Sequence, residues 1–148
     1  FRSFGRTVMT IDFSPFAKAI QQLEKSLEYA TSDLAKNNAG LFEQLRNSVI
    51  QCFEFTYELS HKMLKRYLEE TSANPAELDV ATFQNVIRMG NEKGLLRSDW
   101  TRWRVYRQAR NDSSHTYNEE KAEDGYAIVP DFLEEARFLL AELTGRSD

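Results

Sequence analysis

The amino-acid sequence predicts an all-α fold, an antiparallel four-helix up-and-down bundle with one extra short helix. Apolar residues recur every three to four positions over nearly the whole chain, which is the helical period. No stretch shows the two-residue alternation of a half-buried strand. The connections between periodic segments are short, without a low-complexity tract or an interdomain linker, so 148 residues are expected to form one domain.

The first helix is predicted to begin at Ser14-Pro15, because a capping residue there precedes a proline at the first helical position. Asn37, Asn38 and Gly40 are expected to end it. Its apolar stripe consists of Phe13, Phe16, Ile20, Leu23, Leu27, Ala30 and Leu34. This spacing predicts one uninterrupted helix with a single buried face.

The second helix is the longest and is predicted over about residues 41–70. One apolar stripe consists of Phe42, Leu45, Val49, Phe53, Tyr57, Leu64 and Leu68. A second stripe consists of Cys52, Phe55, Leu59 and Met63. Because the helix is apolar on more than one side, we expect it to be central in the bundle or covered by a partner chain.

A short third helix is predicted over residues 74–93, with Asn74 as its cap and Gly94 at its C-terminal end. Ser98 or Asp99 can cap the next helix. The inward-facing residues of that helix are Trp100, Trp103, Tyr106 and Ala109. It should fail over residues 111–114, since Asn, Asp and Ser side chains compete for the backbone.

The last helix is predicted to begin at Asn118 and to reach Gly145, with a kink permitted at Pro130. Its inner face consists of Phe132, Leu133, Ala136, Leu139, Leu140 and Leu143. We therefore expect residues 12–148 to form the single domain. Residues 1–11 are expected to be upstream sequence or a flexible segment, with Met9 as a possible native start.

The compartment is predicted from three features. The lone Cys52 excludes an intrachain disulfide and a multi-cysteine zinc site, which suits a reducing environment. No apolar run approaches the roughly 20 residues that span a bilayer, and the start of the chain lacks the apolar core of a signal peptide. We expect a cytoplasmic protein that binds neither a membrane nor a cofactor.

The charged residues are unevenly distributed. The chain has 19 Lys and Arg against 23 Asp and Glu, and a net charge of −4 argues against bulk attraction to nucleic acid. Residues 88–110, however, hold seven basic and two acidic side chains, whereas residues 111–148 hold three and ten. Six of the seven basic residues in 88–110 are Arg, whose planar guanidinium group matches the geometry of a phosphate. Two alternatives follow: a local phosphate-binding surface, with Arg104 and Arg107 as RNA-binding candidates, or ion pairs with the acidic last helix.

The string RNDSSHTY, residues 110–117, lies where the basic block meets the acidic segment. In an unbroken helix Arg110 and His115 would point about 140° apart, so they can converge only if the helix ends between them. Convergence would join a fixed cation to a group that titrates near neutrality. Such a pair can promote attack of the RNA 2′-hydroxyl on the adjacent phosphate, which cleaves RNA without a metal. The alternative is that Arg and His near a helix end only bind carbonyl or carboxylate groups, as they often do.

A metal site is not predicted. Glu58 and His61 form one Glu-x-x-His pair on the long helix, but di-iron bundles need two such pairs and further carboxylates. His61 is therefore interpreted as a packing or surface residue.

The string at residues 110–117 resembles the Arg-x4-6-His signature of HEPN domains, in its form that ends His-x-Tyr. Residues 45–59, LRNSVIQCFEFTYEL, are similar to the long helix of the branch named nucleotidyltransferase substrate-binding proteins. The order of helices also agrees, so the resemblance covers residues 12–144. Two residues depart from the branch: Cys52 stands where Arg is frequent and His61 where an aromatic residue is common.

The resemblance implies a helical bundle that dimerises and brings the Arg and His of both chains into one cleft. It implies an RNase toxin with Arg110 and His115 as catalytic residues and Asn111 as a supporting polar group. It also implies a partner, a minimal nucleotidyltransferase (MNT) antitoxin that adenylylates Tyr117. An added AMP would place negative charge and bulk beside the phosphate site.

Two other interpretations remain open from the sequence. The chain could be a non-catalytic subunit that holds nucleotide or substrate for a nucleotidyltransferase, with Arg110 gripping phosphate. It could also be a structural helical dimer whose arginines only pair with the last helix. Tyr117, likewise, could be a partly buried anchor with no chemical role.

Overall fold

The computed structural model describes residues 11–147. Within that range the regular secondary structure consists of helices, and there is no strand. The helices are α1 (Ser14–Ala30), α2 (Asp33–Lys36), α3 (Ala39–Thr71), α4 (Ala76–Asp79), α5 (Phe83–Glu92), α6 (Trp100–Asn111) and α7 (Glu119–Ser147). Four long helices and the short α5 confirm the predicted fold class. Met9 and most of the proposed leading segment lie outside the described residues, whereas Ile11 belongs to the buried core.

The prediction of one uninterrupted first helix is wrong, because α1 ends at Ala30 and a separate turn, α2, follows. The Thr31 hydroxyl donates to the carbonyl of Leu27 at 2.9 Å, and the Ser32 hydroxyl accepts from the amide of Ala35 at 3.3 Å. These side chains compete with the helical backbone and start a new helix. Leu34 continues the apolar spacing and suggested continuity, yet it is 70% exposed.

The predicted third helix is divided into α4 and α5. The Thr82 hydroxyl caps α5 by accepting from the amide of Asn85 at 3.2 Å, which sets a new helix start inside the predicted span. The predicted side-chain cap at Asn74 does not form; the backbone N–H of Asn74 instead donates to the Ser72 hydroxyl at 3.1 Å. Gly94 has the positive φ of 76° that favours glycine after a helix.

The later helix boundaries agree with their capping residues. Asp99 accepts from the amide of Thr101 at 3.0 Å, and Asn118 accepts from the amide of Lys121 at 3.1 Å. Helix α6 ends at Asn111, within the predicted span. Helix α7 continues through Pro130. Among the described residues, no helix combines the length and apolar character needed to cross a membrane.

Helix α3 is central, as its two apolar stripes predict, and it contacts every other helix. An aromatic cluster joins it to α6 and α7. The rings of Phe53 and Phe132 lie edge to face with centroids 5.0 Å apart, and Tyr106 contacts Phe132 at 5.2 Å. Trp103 contacts Tyr106 at 5.3 Å, and all four side chains are fully buried. Edge-to-face pairs of this kind fix the orientation of α6 on the core.

Polar contacts also hold the α6 region to α7. The Tyr106 hydroxyl donates to Asp131 at 2.6 Å, and Arg97 donates to the same carboxylate at 2.8 Å. Burial opposes ionisation of Asp131, but these hydrogen bonds and the charges of Arg102 and Arg97 together outweigh it and lower the pKa of Asp131. Arg102 lies 3.4 Å from Asp131. Arg97 and Arg102 therefore form the ion pairs with the last helix that were one of the two interpretations of the basic block.

Glu135 is a fully buried carboxyl group on α7. It accepts the backbone N–H of Arg97 at 2.7 Å, and its second oxygen lies 3.9 Å from the Arg97 guanidinium. Burial raises the pKa of Glu135, and it outweighs the opposing hydrogen bonds to Ser98 and Arg97. The folded state therefore favours the protonated form of this side chain more than the unfolded state does.

We expect Phe132→Ala to lower the free energy of unfolding by about 3–5 kcal/mol, because it leaves a cavity at the centre of the aromatic cluster. Urea unfolding measures this. The matched control is Phe55→Ala, since Phe55 is 59% exposed and its loss should change stability by no more than about 0.5 kcal/mol. Equal effects of the two substitutions would contradict the assigned core.

We expect the stability of Glu135→Gln relative to the wild type to increase between about pH 4 and pH 7. A raised folded pKa contributes stability below the unfolded value, and that contribution is lost as pH rises through the folded pKa. Gln retains a carbonyl acceptor for the Arg97 amide and cannot ionise. Paired urea unfolding of wild type and variant across this range measures the difference; a difference that is constant with pH contradicts the shift.

Candidate active site

The candidate site is built on the end of α6 and the turn that leads to α7. Arg110 and Asn111 occupy the last turn of α6, and His115 and Tyr117 lie in the connection. The connection is hydrogen-bonded: the amide of Ser113 donates to Arg110, that of His115 to Asp112 and that of Asn118 to His115, at 2.9–3.2 Å. Because the helix ends before His115, the opposed orientation that a continuous helix would impose does not apply.

Arg110 is paired with α3. Its guanidinium forms an ion pair with Glu58, and this hydrogen bond is the main cause of the raised pKa of Arg110. The arginine side chain is 36% exposed, so it remains accessible from solvent. A guanidinium has five N–H donors, and one carboxylate leaves donors free for a second anion.

Ser113 ties the turn to the same helix. Its hydroxyl oxygen lies 2.8 Å from a carboxylate oxygen of Glu54 and 2.7 Å from the carbonyl of Arg110, so one proton serves both acceptors. Glu54 and Glu58 are four residues apart on α3 and therefore share a face of that helix. Neither the contact of Glu58 with Arg110 nor that of Glu54 with Ser113 was predicted from the sequence. Two carboxylates at this spacing opposite an Arg-rich helix are a pattern that could have indicated them.

His115 and Tyr117 contact each other. The Nδ1 atom of His115 lies 3.2 Å from the Tyr117 hydroxyl, and the two rings are nearly perpendicular with centroids 5.7 Å apart. Tyr117 is 84% exposed, which contradicts its interpretation as a partly buried anchor. Within the described residues, no hydrogen bond joins the side chain of His115 to that of Arg110.

The structure separates the two arginines predicted to bind phosphate. Arg107 shares a cavity of about 340 Å³ with Arg110 and Asn111; its other lining residues are Tyr57, Glu58, His61 and Phe83. Arg104 lines a different cavity of about 680 Å³ between α6 and α7, together with Asp112, Lys121 and Asp124. Arg107, Arg110 and Asn111 therefore lie in one cleft, and Arg104 does not.

His61 packs against an aromatic ring. Its imidazole lies edge to face with Phe83 at 4.6 Å between centroids. Burial lowers the pKa of His61, and the nearby charges of Lys65 and Arg107 lower it further. Among the described residues no group of three or more His, Cys, Asp or Glu side chains is placed to hold a metal ion. Phe83, the ring on which His61 packs, was not predicted to belong to the site, because its apolar character indicates only core packing.

The described chain is a helical bundle, and the sequence Arg-x4-His-x-Tyr lies at the junction of its last two long helices. The chain belongs to the family described as nucleotidyltransferase substrate binding protein like, whose model matches residues 11–145. A Haemophilus influenzae protein named probable ribonuclease HepT is 44% identical over 98 residues, which cover 66% of this chain and 66% of that protein. The matched part thus spans just under two thirds of the relative.

Two solved structures have similar folds. HI0074 from Haemophilus influenzae is 34% identical to this chain, with a TM-score of 0.84. Its structure is described as revealing the fold of a substrate binding domain of a nucleotidyltransferase. The match covers 90% of this chain and 99% of HI0074. A protein from Thermus thermophilus is 29% identical with a TM-score of 0.63, covering 86% of this chain and 98% of that one.

Proposed function

We propose that this chain is the HEPN toxin of a HEPN/MNT toxin-antitoxin pair, a metal-independent endoribonuclease that uses Arg110 and His115. The observation that carries the proposal is the end of α6 at Asn111, which keeps Arg110 on the helix beside the basic cleft and leaves His115 on the turn. The similarity to a protein named probable ribonuclease HepT supports RNA cleavage as the activity. The proposed working unit is a cytoplasmic homodimer.

In the proposed reaction the 2′-hydroxyl of RNA attacks the adjacent phosphorus and the bond to the 5′-oxygen breaks. The products carry a 2′,3′-cyclic phosphate and a 5′-hydroxyl. His115 accepts the proton of the attacking hydroxyl or returns one to the leaving oxygen, and a second copy of the chain supplies the complementary His115. The free N–H donors of Arg110 stabilise the charge that develops on the phosphate oxygens, while Asn111 offers a further polar contact.

Regulation at Tyr117 is the second part of the proposal. The MNT partner transfers AMP from ATP: the Tyr117 oxygen bonds to the α-phosphorus, its proton is lost and pyrophosphate leaves. The exposure of Tyr117 supports access by another protein. Its hydroxyl oxygen lies 3.2 Å from His115, so an AMP at that oxygen occupies the space next to the proposed base and repels an RNA phosphate.

A non-catalytic function is the alternative. HI0074, similar over nearly its whole length, is described as a substrate binding domain of a nucleotidyltransferase, which favours a subunit that holds a nucleotide or other substrate. In that case Arg110 grips phosphate and His115 performs no proton transfer. Loss of binding in Arg110→Ala, with little change in His115→Ala and no RNA turnover in the wild type, identifies this alternative.

We expect His115→Ala to lower the rate of RNA cleavage by about 10²- to 10⁴-fold in the presence of EDTA, because proton transfer is lost. Arg110→Ala should also abolish most cleavage, whereas Arg88→Ala serves as its matched control. Arg88 is an exposed arginine on α5 that pairs with Glu92 at 3.2 Å. Cleavage of a labelled oligoribonucleotide is the measurement. The proposal fails if the purified dimer cuts no RNA or if His115→Ala cuts at the wild-type rate.

We expect incubation with the cognate nucleotidyltransferase and ATP to add AMP to the wild-type chain and to suppress its RNase activity. Intact-mass measurement detects the addition. Tyr117→Phe should remain unmodified, while Tyr29→Phe, at an exposed tyrosine of α1, should be modified like the wild type. Addition of AMP to Tyr117→Phe, or no addition to the wild type, rejects the assignment.

A further inference from the structure

The cleft beside Arg110 has an aromatic wall that the proposed cleavage chemistry does not use. Phe83, at the start of α5, is half-buried in the cleft. Its ring is braced by Trp100 at 5.6 Å and by Tyr57 at 6.0 Å between centroids. Because Tyr57 belongs to the buried core, this wall is anchored to the core by close packing.

A cation lies on the wall. The Arg107 guanidinium carbon is 5.3 Å from the centroid of Phe83, within the distance of a cation–π contact. Arg107 is exposed, so the guanidinium presents surface to the cleft and to solvent. Planar guanidinium groups and aromatic rings are the surfaces on which proteins stack unpaired RNA bases.

Polar groups that can bond to a base edge border the same space. Burial lowers the pKa of His61 and so favours its neutral imidazole, in which one nitrogen donates and the other accepts. The exposed amide of Asn111 adds a donor and an acceptor. Glu58 adds acceptor oxygens, although one of them is engaged by Arg110.

We propose that this cleft is a nucleobase subsite: the base of the nucleotide next to the phosphate held by Arg110 stacks on the Arg107–Phe83 pair and hydrogen-bonds to His61 and Asn111. The inference rests on the proposed RNA-cleaving function and names how that site holds its substrate. The cavity volume of about 340 Å³ is in the range of small-ligand sites. The larger cavity at Arg104 is a weaker candidate, because Asp112 and Asp124 offset its cations and its lining residues include no aromatic ring.

The first test uses short RNAs with a single scissile phosphate. In one RNA the base of the nucleotide on the 5′ side of that phosphate is replaced by hydrogen, and in a second RNA the base on the 3′ side is replaced. For the wild type, loss of the base that enters the cleft should lower kcat/KM about tenfold or more, as expected for one lost stacking contact. In Arg107→Gln and in His61→Ala the same loss should lower kcat/KM less than about threefold, since the contact is already weakened. Arg88→Gln is the matched control and should keep the wild-type sensitivity. Equal sensitivity in the wild type and Arg107→Gln overturns the proposal.

The second test separates this proposal from the RNase proposal, because it needs no cleavage. AMP and ribose 5-phosphate, in which a hydroxyl group replaces the base, are titrated against the full chain, with the His61 ring resonances followed by NMR. AMP should bind at least about tenfold more tightly than ribose 5-phosphate, and Arg107→Gln should remove most of that ratio. Equal affinities in the wild type overturn the subsite, even if RNA is cut. A retained AMP preference without any RNA cleavage supports the subsite and rejects the RNase function.

Discussion

The packing of Trp103 and Tyr106 against Phe53 and Phe132 is the contact on which the rest of the molecule depends. It holds α6 between α3 and α7 with fully buried, edge-to-face rings. Since Arg110 lies one helical turn beyond Tyr106, this packing also determines where the last turn of α6 meets α3. The ion pair between Arg110 and Glu58 follows from that placement.

The fold places two pairs of arginines from the basic block in different surroundings. Arg97 and Arg102 turn toward Asp131 on α7 and stabilise the bundle. Arg107 and Arg110 turn toward the α3 cleft, which is also lined by two aromatic rings, Tyr57 and Phe83, and by one carboxylate. A net charge of −4 thus coexists with a local cationic cleft, because the acidic residues of the last helix neutralise only part of the block. Such a cleft can hold phosphate without strong nonspecific attraction to nucleic acid.

Much of the helical structure is predictable because helix ends depend on neighbouring residues. The caps at Asp99 and Asn118 and the positive φ of Gly94 all follow from local side-chain and backbone preferences. The breaks at Thr31 and before Thr82 were missed. At the first break the apolar spacing of α1 continues to Leu34, and at the second a single helix was expected over residues 74–93. In both places a hydroxyl side chain competes for the backbone and ends or starts a helix.

The sequence by itself determined the all-α fold, most helix ends and the string at residues 110–117, because these depend on contacts within a few residues. Only the tertiary structure decided that Arg107 and not Arg104 joins Arg110, and that Glu58 is the partner of Arg110. It also decided that Phe83 and His61 line the same cleft. Glu58 and Arg110 are 52 residues apart in the chain, and no local preference specifies such a contact. It is set by the crossing of packed helices, which the fit of buried side chains determines.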